Sequence, residues 1–186
     1  KGDYDGALDA AKKLEATVLD EMGQDNAVYA SCLNNVALMH KMLGEDEVAV
    51  DTYTRALHIY EDVTGKNHAS YASTLSNIGI LYRSMAEKTT GMDRLQLIER
   101  AEEALTDALI TRNEISGENS RESISTGMNL AMLWRVLDSK EAEKRAGECE
   151  ESLKRCLDTS ISQFGAEDAL TATILSNYGL FLKDQS

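Results

Sequence analysis

The sequence predicts an all-α fold, a solenoid of antiparallel helix hairpins, and three observations predict it. Proline is absent from all 186 residues. Ala, Leu, Glu and Lys recur in long stretches that β-branched residues never dominate, so helix propensity is favourable along most of the chain. A pattern of glycines, asparagines and small residues then returns at long, nearly regular intervals, as in architectures built from stacked repeats.

Four glycines set the register. Gly23, Gly65, Gly117 and Gly165 are spaced by 42, 52 and 48 residues. Each ends a helical pattern and precedes a polar restart, where a left-handed residue often closes a helix. Twelve residues on stand Asn35, Asn77, Asn129 and Asn177, and fourteen on stand Ala37, Gly79, Ala131 and Gly179. Sixteen residues before the glycines are Ala7, Ala49, Ala101 and Cys149, followed four residues later by Ala11, Tyr53, Leu105 and Leu153. Offsets hold on both sides of each glycine, so the extra residues of the longer intervals fall between paired helices.

Each unit therefore reads as two helices. The first helices are predicted over 26–42, 67–85, 119–137 and 168–183, with Asn, Asp or Ser at their starts as N-caps. The second helices are predicted over 4–22, 45–64, 93–116 and 140–164. Residues 87–92, with Thr89, Thr90 and Gly91, mark the first insertion, and 138–147 mark the second. A connection lengthened in this way is expected to project as a mobile or partner-contacting loop. The chain is one solenoid segment over 1–186, with units of about 1–23 (second helix only), 24–65, 66–117, 118–165 and 166–186 (first helix only). Opening and closing on unpaired helices, it is expected to belong to a longer array or a larger assembly, which would cover Leu175, Tyr178 and Leu182.

Gly2, Tyr4 and Ala7 place glycine, an aromatic ring and a small residue at the spacing that the tetratricopeptide repeat uses across its hairpin turn, and Gly44 and Ala49 repeat it. The phrases Leu33-Asn34-Asn35-Val36-Ala37, Ala56-Leu57-His58-Ile59-Tyr60-Glu61 and Gly65-Lys66-Asn67-His68 resemble the kinesin light chain variety of that repeat. Ala69 stands where that variety usually has proline, and the last two hairpins carry insertions. The resemblance implies a right-handed α-α superhelix whose first helices line a concave face.

Periodicity separates two stripes on those helices. Leu33, Val36, Ala37 and His40 lie at i, i+3, i+4 and i+7, matched by Leu75, Ile78, Gly79 and Tyr82 and by Gly127, Leu130, Ala131 and Trp134. This is the packing face, and His40 and Trp134 are read as core residues on it. The second stripe carries Ser31, Asn35, Leu38 and Lys41, then Ser73, Asn77, Ile80 and Arg83, then Ser125, Asn129, Met132 and Arg135, then Thr173, Asn177, Leu180 and Lys183. On a concave face these rungs form a groove suited to an extended peptide. Amides offer a donor and an acceptor to a peptide backbone, and the cations favour acidic residues. Asn35, Lys41, Asn77, Arg83, Asn129, Arg135, Asn177 and Lys183 are thus the candidate partner-binding residues. The alternative is structural: the asparagines fix repeat stacking, and cations in a last turn answer the helix dipole.

A net charge of −13 argues against general affinity for nucleic acid or an anionic membrane. No apolar run approaches bilayer length. Cys149 and Cys156 lie two turns apart on one helix face and read as small packing residues, which points to a reducing compartment. No phosphate-cradling loop, zinc-protease motif or nucleophile elbow occurs, and His40, His58 and His68 are dispersed. No catalysis, metal or cofactor is therefore expected. The functional expectation is a scaffold or adaptor that binds an acidic peptide. Two further readings stay open. One is an architectural or assembly-factor subunit of an organellar ribosome, a ciliary microtubule complex or a membrane complex. The other is an interaction domain of a larger enzyme or signalling protein. The cytoplasm is the expected compartment, with mitochondrion or cilium as alternatives.

Overall fold

The computed structural model describes residues 3–136 and 139–184. Among them are eight α-helices and one short 3-10 turn, with no strand. The helices are α1 (Tyr4–Met22), α2 (Ala27–Leu43), α3 (Asp46–Thr64), α4 (Ala69–Glu87), α5 (Gly91–Ser116), α6 (Arg121–Leu133), α7 (Ser139–Phe164) and α8 (Ala169–Asp184), and the turn Trp134–Val136 follows α6. Gly2 and Leu137, to which the repeat motif and a helix end were assigned, lie outside the described residues. So does Asp138, the start of the second insertion.

The linker glycines end the second helices for a stereochemical reason. Gly23, Gly65, Gly117 and Gly165 sit at φ of 76, 78, 85 and 93°, a region in which a Cβ crowds the backbone. Each donates its backbone N–H to the carbonyl four residues earlier, at 3.0 to 3.1 Å. Three residues later a cap starts the next helix. Asn26 Oδ1 accepts from the N–H of Tyr29 at 2.9 Å, and Ser120 Oγ accepts from Ser123 at 3.2 Å. Asp168 Oδ1 accepts from Leu170 at 2.8 Å. At α4 the cap is His68 rather than Asn67, its Nδ1 accepting from the N–H of Ser70 at 3.2 Å.

The first insertion does not form a projecting loop. α5 has 26 residues where α3 has 19, α4 has 19 where α2 has 17, and only Lys88–Thr90 separates α4 from α5. The extra residues have gone into helix because they satisfy backbone groups there and bury Ala86 and Ile98 against Ala101 and Leu133. The connection is also tied down, since Lys88 Nζ donates to Asp46 Oδ2 at the start of α3, 2.6 Å away.

The core runs along the array in two main blocks. One joins α1 to α5 around Leu33, Ala37, Tyr53, Ala56, Leu75 and Leu81. The other joins α6, α7 and α8 around Ile124, Ala131, Leu153, Ile174 and Phe181. His40 is buried, as expected, with Nδ1 paired to Glu45. Trp134 is half-buried, packs against the second block and carries the Arg145 guanidinium 5.8 Å from its ring centre. The small residues of the packing face permit close approach: a Cβ on Gly79 would lie 2.6 Å from Leu105 Cγ. In α8 the same stripe stays open, with Leu175 57% and Leu182 46% exposed.

First helices pack on the first helices of adjacent units, α2 on α4, α4 on α6 and α6 on α8. Polar links span the units. Asn34 Nδ2 donates to Thr74 Oγ1 at 2.8 Å, and Arg121 clasps both carboxylate oxygens of Asp168 at 2.8 Å. Arg112 of α5 donates to Ser73 of α4 and to Thr126 and the Glu122 carbonyl of α6.

Candidate functional site

The first-helix face is the candidate site, and it divides into amides and cations. Asn35 is exposed, while Asn77, Asn129 and Asn177 are half-buried. Among the described residues, the side chains of Asn35, Asn77 and Asn129 make no hydrogen bond. Asn177 differs: its Nδ2 lies 3.1 Å from Met128 Sδ, joining α8 to α6. Ser73, on the same stripe, is engaged by Arg112 at 3.2 Å and faces the packing side.

The cations form the more unusual feature. Lys41, Arg83 and Arg135 come from three successive first-helix elements and are half-buried, whereas Lys183 is exposed. Burial, then repulsion from Arg83, depresses the Lys41 ammonium, with Asp46 opposing. Burial likewise depresses the Arg83 guanidinium, Glu87 opposes, and Arg135 depresses it further. Lys41 and Arg83, and Arg83 and Arg135, therefore stand close enough to repel in partly desolvated surroundings, where charges interact more strongly than in water. Their internal partners are modest. Arg83 Nε lies 4.0 Å from Glu87, itself 54% exposed in its side chain. Arg135 Nε donates to Asp184 Oδ2 at 2.9 Å, a carboxylate at the end of α8 with half its side chain exposed.

Arg83 and Arg135 also share a hollow. It measures about 270 Å³ and is lined by Arg83, Glu87, Arg94, Met132 and Arg135. Arg94, in the first turns of α5, has no counterpart in the repeat register because it belongs to the inserted length of that helix. Counting offsets from the glycines cannot find it, and the pairing of Asp184 with Arg135 is equally invisible to that count. Its described lining combines three guanidiniums, one carboxylate and a buried methionine. Among the described residues, no group of three or more His, Cys, Asp or Glu is placed to hold a metal ion.

Residues 30–89, covering α2, α3 and most of α4, match the tetratricopeptide repeat family in sequence. In sequence, the tetratricopeptide likeness covers about a third of the chain. Solved structures extend the likeness of fold over the remainder of the array. BtubC (BKLC) from P. vanneervenii is 16% identical, with a TM-score of 0.70 over 100% of this chain and 68% of that one. A Podosopora anserina protein, whose description combines kinesin light chain with nearly identical TPR-like repeats, is 11% identical, with a TM-score of 0.72 over 98% of this chain and 79% of that one. A single-residue variant of it gives 0.74 at the same identity, over 98% and 78%. No curated protein matches the chain by sequence. The fold of the array is thus the one that its kinesin light chain-like phrases imply. Among its described residues, no helix is long and apolar enough to cross a membrane.

Proposed function

We propose that this tetratricopeptide array is a non-catalytic scaffold or adaptor whose first-helix face binds an extended, acidic segment of a protein partner. Tetratricopeptide repeats commonly mediate protein–protein interaction, and the array lines its first helices along one face. The observation that carries the reading is the row of Lys41, Arg83 and Arg135, held in mutual repulsion on a chain whose net charge is −13. An anionic segment laid along the row relieves that repulsion, and the amides of Asn35, Asn77 and Asn129 are available to its backbone. Three free, buried cysteines fit a reducing compartment such as the cytoplasm.

Variants on the stripe test the proposal. Replacing Asn77 and Asn129 by Ala should weaken binding of an acidic peptide by ~1 to 3 kcal/mol for each hydrogen bond whose buried partner is stranded, with melting temperature nearly unchanged. Replacing Arg83 and Arg135 by Gln should weaken it most at low salt, because exposed charge attraction is screened over ~8 to 10 Å at physiological ionic strength. A second reading, an architectural subunit, is favoured by the bonds that Asn177 and Arg135 make to neighbouring units. It predicts that the same substitutions lower the melting temperature and leave partner affinity intact. Unchanged affinity in all four variants, with intact folding, refutes the groove.

A further inference from the structure

Gly127, inside α6, is a glycine without a packing reason. It stands ten residues after its linker glycine, the position that Leu33, Leu75 and Leu175 hold in the other units. Leu33 and Leu75 are buried there. Glycine weakens a helix interior relative to alanine, and at Gly79 close approach explains it, since an added Cβ would stand 2.6 Å from Leu105 Cγ. Nothing presses on Gly127 in this way: a Cβ there would meet one atom within 4 Å among the described residues, Cys156 Sγ at an ordinary 3.5 Å. The missing leucine leaves space instead. Two hollows of about 170 and 370 Å³ lie between α5 and α7 with α6 beneath, and both are lined by Leu109, Gly127 and Arg155. Their α6 floor runs through Ser123, Gly127, Leu130 and Trp134, at i, i+4, i+7 and i+11, on the packing stripe and not on the stripe of Asn129 and Arg135.

Two buried polar atoms in this groove lack hydrogen-bond partners among the described residues. Asn113 Oδ1 accepts none in the first hollow, and Trp134 Nε1 donates none in the second. A buried indole N–H ordinarily finds an acceptor, and an unmet buried group is costly. A single peptide main chain supplies both a donor and an acceptor. The floor is about 16 Å long at a helical rise of about 1.5 Å per residue, a length that about five extended residues cover. Glu118 lines the first hollow, Glu148 and Glu151 line the second, and Arg155 is the one cation of the described lining. The rim therefore favours a positive segment. We propose that the groove between α5 and α7 docks an extended, basic segment of a protein partner, with a leucine-sized side chain over Gly127 and a Lys or Arg two residues to either side. Residues i and i±2 of an extended chain share a face, so the two cations point the same way as the leucine, one toward Glu118 and the other toward Glu148 and Glu151. This site does not rest on the acidic-segment reading of the first-helix face, from which it differs in the helices that form it and in the charge it selects.

Trp134 is the sole tryptophan of the chain, so its emission reports occupancy of the groove directly. Three seven-residue peptides test the proposal: Ser-Lys-Ser-Leu-Ser-Lys-Ser, the same peptide with Ala for Leu, and the same with Glu for both Lys. The leucine peptide should shift Trp134 emission saturably and bind about tenfold more tightly than the alanine peptide, because it buries a larger apolar side chain. The glutamate peptide should bind more weakly than the leucine peptide at low salt, and the gap should narrow as salt screens it. Gly127→Leu restores the side chain of the other units; it should melt at or above the wild-type temperature and lose the preference for leucine over alanine. If that variant does not fold, Gly127→Ala, whose methyl group meets no close atom, should lower the preference in part. Arg83→Gln, on the first-helix face, should leave all three affinities unchanged. Equal binding of the leucine and alanine peptides, tighter binding of the glutamate peptide, or failure of all three to bind overturns the site. A preference untouched in the folded Gly127 variants, or lost in Arg83→Gln, overturns it as well. Self-association at rising concentration that Gly127→Leu abolishes would put a second copy in the groove and overturn the basic partner.

Discussion

Replacing Gly79 by Ala sets two known effects against each other at one position. In a helix interior, Ala is favoured over Gly by ~0.5 to 1 kcal/mol. Against this, a Cβ at Gly79 would stand 2.6 Å from Leu105 Cγ, 3.1 Å from its Cδ2 and 3.2 Å from the Ala101 carbonyl oxygen. Leu105 is fully buried and has no open space to enter, and one of the three neighbours is backbone. Overpacking of this kind costs ~1 to 3 kcal/mol, so the close approach outweighs propensity and Gly79→Ala should destabilise the array. Urea denaturation followed by far-UV circular dichroism reads the change, and a fall of ~2 to 4 °C per kcal/mol is expected in thermal melts of a chain this long. The decisive step is the double variant. Leu105→Ala alone should cost ~2 to 5 kcal/mol by leaving a cavity. With the Leu105 branch gone, Gly79→Ala should change sign and become stabilising by ~0.5 to 1 kcal/mol. Gly179, at the same repeat position in α8, has nothing within 4 Å, so Gly179→Ala should stabilise in the native background. Equal destabilisation by Gly79→Ala with and without Leu105 would refute the argument that close helix approach dictates glycine there.

Two further outcomes follow from the ionisable groups. Hydrogen bonds from Arg121 hold the Asp168 carboxyl down at about 2, below its usual 3.8. This contribution is present above pH ~3.8 and is lost as pH falls toward about 2, so Asp168→Asn should abolish that part of the acid transition while lowering stability near neutrality. Burial pushes the Cys149 thiol up to about 11 and also raises Cys156 and Cys32. All three should therefore resist a thiol-reactive disulfide reagent at neutral pH in the folded protein and react together once it is unfolded; rapid labelling of any one in the native state would contradict their burial.

Most of the hairpin order was legible because it depends on local chemistry. The linker glycines announce positive φ, the caps announce helix starts, and the i, i+3, i+4 spacing of residues such as Leu33, Val36 and Ala37 announces a packing face. Where the reading failed, the cause was non-local. Thr89, Thr90 and Gly91 look like a loop in isolation, yet the residues around them are recruited into α4 and α5, where Ala86 and Ile98 find Leu133 of another unit. The candidate site was legible in the same uneven way. Lys41, Arg83 and Arg135 share an offset and therefore a face, but Arg94 and Asp184 have no offset to share.

The sequence by itself determined the all-α class, the order of the helices and the side of the first helices that packs, since each is written in periodicities of a few residues and in the backbone freedom of glycine. Only the tertiary structure decided which polar residues remain available. Asn77 and Asn177 occupy one register position, yet the latter is turned onto Met128 of α6. Arg83 and Arg135 lie 52 residues apart in the chain and meet Arg94 at one hollow. Such meetings depend on how far one hairpin is rotated against the next, a quantity set by the summed packing of the whole interface and carried by no single stretch of sequence.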